Sequence, residues 1–152
     1  MIVGVQVKQL VSHADERGVL MELLRSDDAL FYRFGQVYMT TCNPGFAKAW
    51  HLHKVQVDNM ACIQGRLRLG LYDGRKGSST FGKVQEFILG PENPLLVRIP
   101  EGVYHGFECA EDEPCIVINI PTHPYNRAQP DEFRKPFDSP DIPFRWKAGK
   151  GG

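Results

Sequence analysis

Lys48-Ala-Trp-His-Leu-His-Lys54, read together with Pro100-Glu-Gly-Val-Tyr-His105, decides how this chain folds. Each stretch puts histidine on a short segment of strand character. In a small all-β protein, two such strands can face one another across a single pocket. Imidazole has the unperturbed side-chain pKa nearest neutrality, so it can exchange a proton or, as the neutral ring, ligate a metal. A catalytic or metal-binding pocket is the first expectation.

Outward from these stretches, apolar residues alternate at Val3, Val5 and Val7 and again at Leu67, Leu69 and Leu71, with Arg66 and Arg68 flanking Leu67. That is the period of half-buried strands, and helical periodicity is nearly absent. Further strands are expected at Val19–Leu24, Phe34–Thr41, Val57–Gln64, Val84–Leu89, Leu95–Ile99 and Cys115–Ile120. Turn material separates them, as in Asn43-Pro-Gly45, Asp73-Gly74 and Gly90-Pro-Glu-Asn-Pro94. Many short strands punctuated by Gly and Pro predict a sandwich or barrel. From about Pro121 the composition shifts to Pro, Asn, Asp and Arg, which predicts an extended, loop-like tail with frayed last residues.

The 152 residues suffice for one domain, residues 1–152, with a real core and no disulfide staples. Formal charge is zero and the Lys and Arg residues are scattered, so the basic footprint of a nucleic-acid binder is lacking and a small-molecule ligand is favoured. Cys42, Cys62, Cys109 and Cys115 form no Cys-x-x-Cys pair and read as reduced structural thiols. Neither a leader pattern nor a run of membrane-spanning length is present, so a cytoplasmic protein with no membrane partner is expected.

His51 and His53 lie two apart on one strand and so share a face. With Asp58 and His105 closing around them, the four could hold a divalent metal through nitrogen and carboxylate oxygen. The bland alternative for His105, a strand-end histidine satisfying a buried hydrogen bond, stands beside that reading. The pattern resembles the bipartite cupin signature: His-x-His and an acid before a glycine, then Pro-x-Gly-x-x-His. Asp58 replaces the usual glutamate, Gly65 follows at the usual distance, and Cys109 stands where asparagine commonly closes the second half. The resemblance implies a cupin-like β jelly roll.

From about Asp15 to Trp146 the chain also resembles the dTDP-4-dehydrorhamnose 3,5-epimerase family. Asp15-Glu-Arg-Gly18 with Glu22 is similar to that family's nucleotide-binding strand, which implies nucleotide contacts for Arg17 and Glu22; Gln36 falls at another such position. Lys48-Ala-Trp-His51 resembles the family's Arg-Gly-Leu-His, aligning His51 with the catalytic base and Lys48 with a phosphate-binding arginine. Ser79-Thr-Phe-Gly82 and Ile99-Pro-Glu-Gly-Val-Tyr-His-Gly-Phe107 match two further stretches. Thr122-His-Pro-Tyr-Asn126 resembles the segment that carries the catalytic tyrosine, here Tyr125. Taken singly, Tyr125 could be a packed loop aromatic, and Arg17 with Glu22 a surface ion pair worth little. Their joint order favours the functional reading. Trp50, Tyr104 and Phe107 read as core or pocket wall.

What the resemblance implies is metal-independent epimerisation of an NDP-4-keto-6-deoxy sugar, without a cofactor, by a homodimer. The protons on C3 and C5 are α to the ketone, so neutral His51 can abstract one and Tyr125 can return one to the opposite face. A nearby cation or donor must stabilise the enolate oxygen, with His53, Lys54 and His105 as candidates. Two departures stand out. The lysine that usually supports the enolate aligns with Asp58, and the C-terminal segment that supplies an aspartate to the catalytic histidine is missing, leaving Asp58 or Asp73 to orient His51. Lys48 would meet pyrophosphate as a point charge, without arginine's fork. Three rivals are a sugar-nucleotide 3,4-ketoisomerase, a metal-dependent cupin enzyme and a non-catalytic sugar-nucleotide binding protein.

Overall fold

Period-two patterning is realised as two facing sheets. The computed structural model describes residues 1–152 as strands and no helix: β1 (Gln6–Gln9), β2 (Ser12–Asp15), β3 (Gly18–Met21), β4 (Tyr38–Cys42), β5 (Phe46–Leu52), β6 (Asp58–Gln64), β7 (Leu67–Asp73), β8 (Val84–Leu89), β9 (Leu95–Ile99), β10 (Val103–Cys109), β11 (Cys115–Asn119), β12 (Phe133–Arg134) and β13 (Lys150–Gly151). One sheet runs β1-β9-β6-β11-β4 and the other β12-β5-β10-β7-β8, with β13 also on β5; the β2–β3 hairpin stands apart. The result is the expected all-β jelly roll. No helix is long and apolar enough to cross a membrane.

Inward-facing residues of both sheets fill the space between them. Leu67, Leu69 and Leu71 from β7 meet Val97 and Ile99 from β9 and Val117 from β11, all buried. Each such side chain stabilises by about 1.5–3 kcal/mol relative to exposure. The free thiols of Cys42, Cys62 and Cys115 are buried here, and Cys109 is half-buried, in keeping with a packing role. Near the N-terminus the expected Val3–Val7 alternation is displaced. Gly4 adopts φ +87°, where a left-handed turn costs glycine least, and the turn buries Ile2 and Val5 while leaving Val3 exposed. The first strand therefore begins at Gln6.

A second apolar cluster lies on the outer face of the second sheet. Trp50, which is 0% exposed, packs edge-on against Phe144 with ring centroids 5.4 Å apart and against Trp146 at 4.8 Å. Its indole N–H donates to the Phe137 carbonyl at 3.2 Å. Ile142 is buried beside it. The tail is thus extended but wrapped on the sheet, and its last residues are not frayed: Lys150–Gly151 pairs in parallel with Phe46 and Ala47 of β5. Large apolar side chains spaced among prolines anchor it, a pattern that strand periodicity does not register.

Asp73, expected near the site, instead organises the loop after β7. Its carboxylate, wholly buried, accepts from Arg75 Nε at 2.8 Å, Ser78 Oγ at 2.6 Å and Thr80 Oγ1 at 2.7 Å. Burial alone would raise its pKa; these donors outweigh burial and hold it well below the usual carboxylate range.

Two stability measurements follow from this packing. Trp50→Ala should cost about 3–5 kcal/mol in urea unfolding, as for other large buried aromatics; a loss under about 1 kcal/mol would mean the tail does not depend on it. Because the folded-state pKa of Asp73 is depressed, its contribution is present above the unfolded value near 3.9 and is lost as pH falls toward the folded value. Asp73→Asn should therefore be less stable at pH 7 and lose less stability than wild type between about pH 4 and 2.5. Parallel losses in both proteins would reject this assignment.

Candidate active site

β5 and β10 are neighbours, with His51 directly opposite His105. Between that pair and the next, Phe107 with Lys48, β10 advances two residues and β5 three. This bulge shifts the alternation, so that Lys48 and His51 both face the cavity while Trp50 turns outward. Gly106 sits at the same crossing. A Cβ there would lie 2.3 Å from Ala49 Cβ and 2.8 Å from its Cα, so only glycine lets the bulged strands close.

The cavity so formed measures about 860 Å³. Its base is built by His51 of β5, His53 just past the end of that strand, Asp58 and Met60 of β6, and His105 and Phe107 of β10. Tyr38 and Thr40 of β4 form one wall, and the segment from His123 to Arg134 forms the other. Tyr125, half exposed, stands at the mouth; its backbone N–H donates to Gln36 Oε1 at 3.1 Å. Lys48 Nζ donates to Thr40 Oγ1 at 2.9 Å.

Asp58 is the buried charge of the site, 1% exposed. Gln56 Nε2 donates to its Oδ1 at 2.7 Å. Oδ2 lies 3.1 Å from His105 Nε2 and 3.3 Å from His53 Nε2. These are ion-pair contacts, and Oδ2 makes no other hydrogen bond. Burial opposes the Asp58 charge, but the two imidazoles outweigh burial and lower its pKa. For His53, burial favours the neutral ring, yet the Asp58 contact and charge raise its pKa overall.

His51 is different. Its Nε2 is buried without a hydrogen-bond partner, and burial followed by the neighbouring His105 pushes its pKa down to about 4. The ring is therefore neutral near pH 7, with a base available. Tyr38, opposite, is raised to about 12 by burial and by Asp58, and its hydroxyl accepts from Asn119 Nδ2 at 2.9 Å.

Of the residues expected at the site, Gln36, Lys48, His51, His53, Asp58, His105 and Tyr125 meet at this one cavity. Arg17, Glu22 and Asp73 do not. Arg17 pairs with Asp15 on the exposed hairpin and Glu22 pairs with Arg25 just beyond it. Neither Asp58 nor Asp73 hydrogen-bonds His51, so the expectation that one of them orients it is not met; hydrogen bonds instead commit Asp73 to its own loop. Of the four expected metal-ligating residues, only His53, Asp58 and His105 bring ligand atoms within 4.8 Å of one another.

Sequence reasoning missed the contribution of residues 131–134. The Asp131 carboxylate accepts from the amides of Lys54, Val55 and Gln56 at 2.8–2.9 Å, and its carbonyl accepts from His53 Nδ1. Arg134 of β12 pairs in register with His51, and Glu132 lines the cavity beside it. A two-residue strand carries too little alternation to be seen as a strand, although the acidic pair Asp131-Glu132 was a visible signal of polar function.

Comparison with known proteins agrees with this geometry. The sequence pattern described as dTDP-4-dehydrorhamnose 3,5-epimerase matches residues 1–150. The spore coat polysaccharide biosynthesis protein SpsL of Bacillus subtilis is 41% identical over 146 residues, covering 96% of this chain and 97% of its own. A probable low-salt glycan biosynthesis epimerase of Haloferax volcanii is 40% identical over 146 residues, covering 95% and 94%. Among solved structures, the dTDP sugar isomerase of Desulfovibrio desulfuricans superimposes with a TM-score of 0.90 at 35% identity, over 95% of this chain and 92% of that one. A match along nearly the whole chain, with the cavity built from the residues that carry the family motifs, means that this protein belongs to the dTDP-4-dehydrorhamnose 3,5-epimerase family.

Proposed function

We propose that this protein epimerises an NDP-4-keto-6-deoxy sugar at C3, at C5 or at both, with His51 as base and Tyr125 as acid. The observation that carries this reading is the His51 Nε2 atom, unpartnered and uncharged in the cavity. A C–H bond α to the ketone breaks, its proton passes to Nε2, and its electron pair moves into the enolate. Reprotonation from the face that Tyr125 occupies inverts the centre. Gln36 supports Tyr125 by fixing its backbone, and the amides of Gly35 and Gln36 hold the Pro121 carbonyl at 2.9 and 3.3 Å. Lys48 supplies positive charge for the pyrophosphate. Use of a nucleotide-sugar substrate supports a cytoplasmic location in this reading.

A homodimer completes the site in this reading. The β2–β3 hairpin pairs with no other strand, and Val19 and Leu20 on it are 68% and 62% exposed. An isolated two-stranded sheet is marginal in water, so it needs a covering surface. A second copy would supply one and would bring Arg17 and Glu22, remote from their own cavity, to the partner's nucleotide.

Incubation with dTDP-4-keto-6-deoxyglucose in D2O tests the chemistry. Wild type should incorporate deuterium at C3, C5 or both with inversion, and His51→Ala should slow exchange by about 10²–10⁴-fold. Tyr125→Phe should keep exchange and lose inversion. A moved ketone would identify an isomerase instead, and binding without exchange a non-catalytic protein. For the dimer, Arg17→Ala and His51→Ala mixed under subunit exchange should recover activity that neither has alone; a monomer in sedimentation, or no recovery on mixing, would remove the shared site.

A further inference from the structure

The enolate oxygen that epimerisation creates needs a hydrogen-bond donor, and the residues expected to provide one are engaged elsewhere. Negative charge grows on the former ketone oxygen as the α-proton leaves, and donors preorganised toward it usually supply the largest share of the rate. Lys54 Nζ lies over the Phe133 ring, 4.0 Å from its centroid, and takes no part in lining the cavity. His53 is held between the Asp131 carbonyl and Asp58, and His105 between the Val103 carbonyl and Asp58. Lys48 Nζ donates to Thr40 Oγ1.

Hydrogen-bond polarity singles out Tyr38. Alternation along β4 turns Tyr38 and Thr40 to the cavity and leaves Met39 exposed on the other side. Directly across the strand pair stands Asn119 of β11, wholly buried. A backbone group tells the two ends of its amide apart: the Asn59 N–H meets it at 3.1 Å and can only donate, so the atom there is the amide oxygen, Oδ1. Nδ2 is then the end that faces Tyr38. An amide NH2 only donates, so the phenol oxygen accepts, at 2.9 Å. The proton of Tyr38 itself is spent on neither partner, and no other hydrogen bond engages the hydroxyl. A phenol is protonated near neutral pH, and burial favours the protonated form of this one further. Accepting from Asn119 also polarises the O–H bond and strengthens it as a donor.

We infer that the Tyr38 hydroxyl, aimed into the cavity by Asn119, is the hydrogen-bond donor to the enolate oxygen, a catalytic role that rests on the epimerase reading. When the α C–H bond breaks, its proton passes to His51 Nε2 and its electron pair enters the enolate, whose oxygen receives the Tyr38 hydrogen bond. Tyr38 gives up no proton; Tyr125 alone returns one to carbon. The chain from the Asn59 amide through Asn119 to Tyr38 is anchored in backbone at its buried end, so the donor stands in place before charge develops. A neutral phenol thus does the work of the cationic lysine that the family resemblance leads one to expect where Asp58 stands.

Deuterium exchange from D2O into dTDP-4-keto-6-deoxyglucose, read together with turnover, tells the two tyrosines apart. Tyr38→Phe keeps the ring and removes only the hydroxyl, and water in the cavity can take the Asn119 bond, so the variant should fold. It should slow both exchange and kcat by about 10²–10³-fold, the usual loss for one oxyanion donor. KM should stay nearly unchanged, because the bond gains its strength only as charge develops. Tyr125→Phe, by contrast, should keep exchange and lose inversion. Three results overturn the assignment: exchange in Tyr38→Phe as fast as in wild type, a loss confined to KM, which would make Tyr38 a contact to the resting substrate, or exchange kept with inversion lost, which would make Tyr38 the acid. Failure of the epimerase reading looks different, since wild type itself would then show no exchange, and the role of Tyr38 would fall with it.

Discussion

Everything at the cavity depends on how β5 is held. It is hydrogen-bonded to β10 on one edge and to both β12 and β13 on the other, so its register is fixed from both sides. A strand slipped by one residue would exchange its two faces. Here that would turn the histidines toward the tail and Trp50 into the cavity. The bulge opposite Gly106 is the compensating device: it puts Lys48 and His51, three apart, on the same side, which a regular strand does not allow.

The outer apolar cluster and the inner polar one are two faces of this strand. Trp50 anchors Ile142, Phe144 and Trp146 on the outside, and the chain that leads to them passes the rim of the cavity as residues 131–135. Backbone bonds tie Trp50 to Lys135 in both directions, at 3.0 and 3.1 Å. Asp131 then fixes the loop after β5 through three amides. Burial of tail aromatics is thus coupled to the position of His53 by continuous hydrogen bonding, and the packing energy of the tail holds the polar site in place.

Inside the cavity the decisive contrast is between two histidines in similar burial. His53 faces a carboxylate, which favours its charged form; His51 faces another imidazole and no acceptor, which favours its neutral form. Opposite shifts in adjacent groups divide the labour of a site: one ring is a free base and the other belongs to a charge-bearing cluster. An unpaired buried carboxylate is costly, so Asp58 has a place here only because His53, His105 and Gln56 surround it.

The sequence by itself determined the all-β class, most strand positions, the family, and seven of the side chains that meet in the cavity, because alternation and motif spacing are local and survive without coordinates. Tertiary structure alone decided the rest. That Asp73 serves a loop, that Arg17 and Glu22 lie away from their own cavity, and that residues 131–134 complete it follow from contacts between segments far apart in the chain, which no spacing encodes. The tail reads as loop because prolines interrupt its pattern, yet its aromatics find a sheet face to cover. Which of four candidate ligands converge is likewise decided by how the end of β5, β6 and β10 are brought together, which the chain's spacing of histidines cannot reveal.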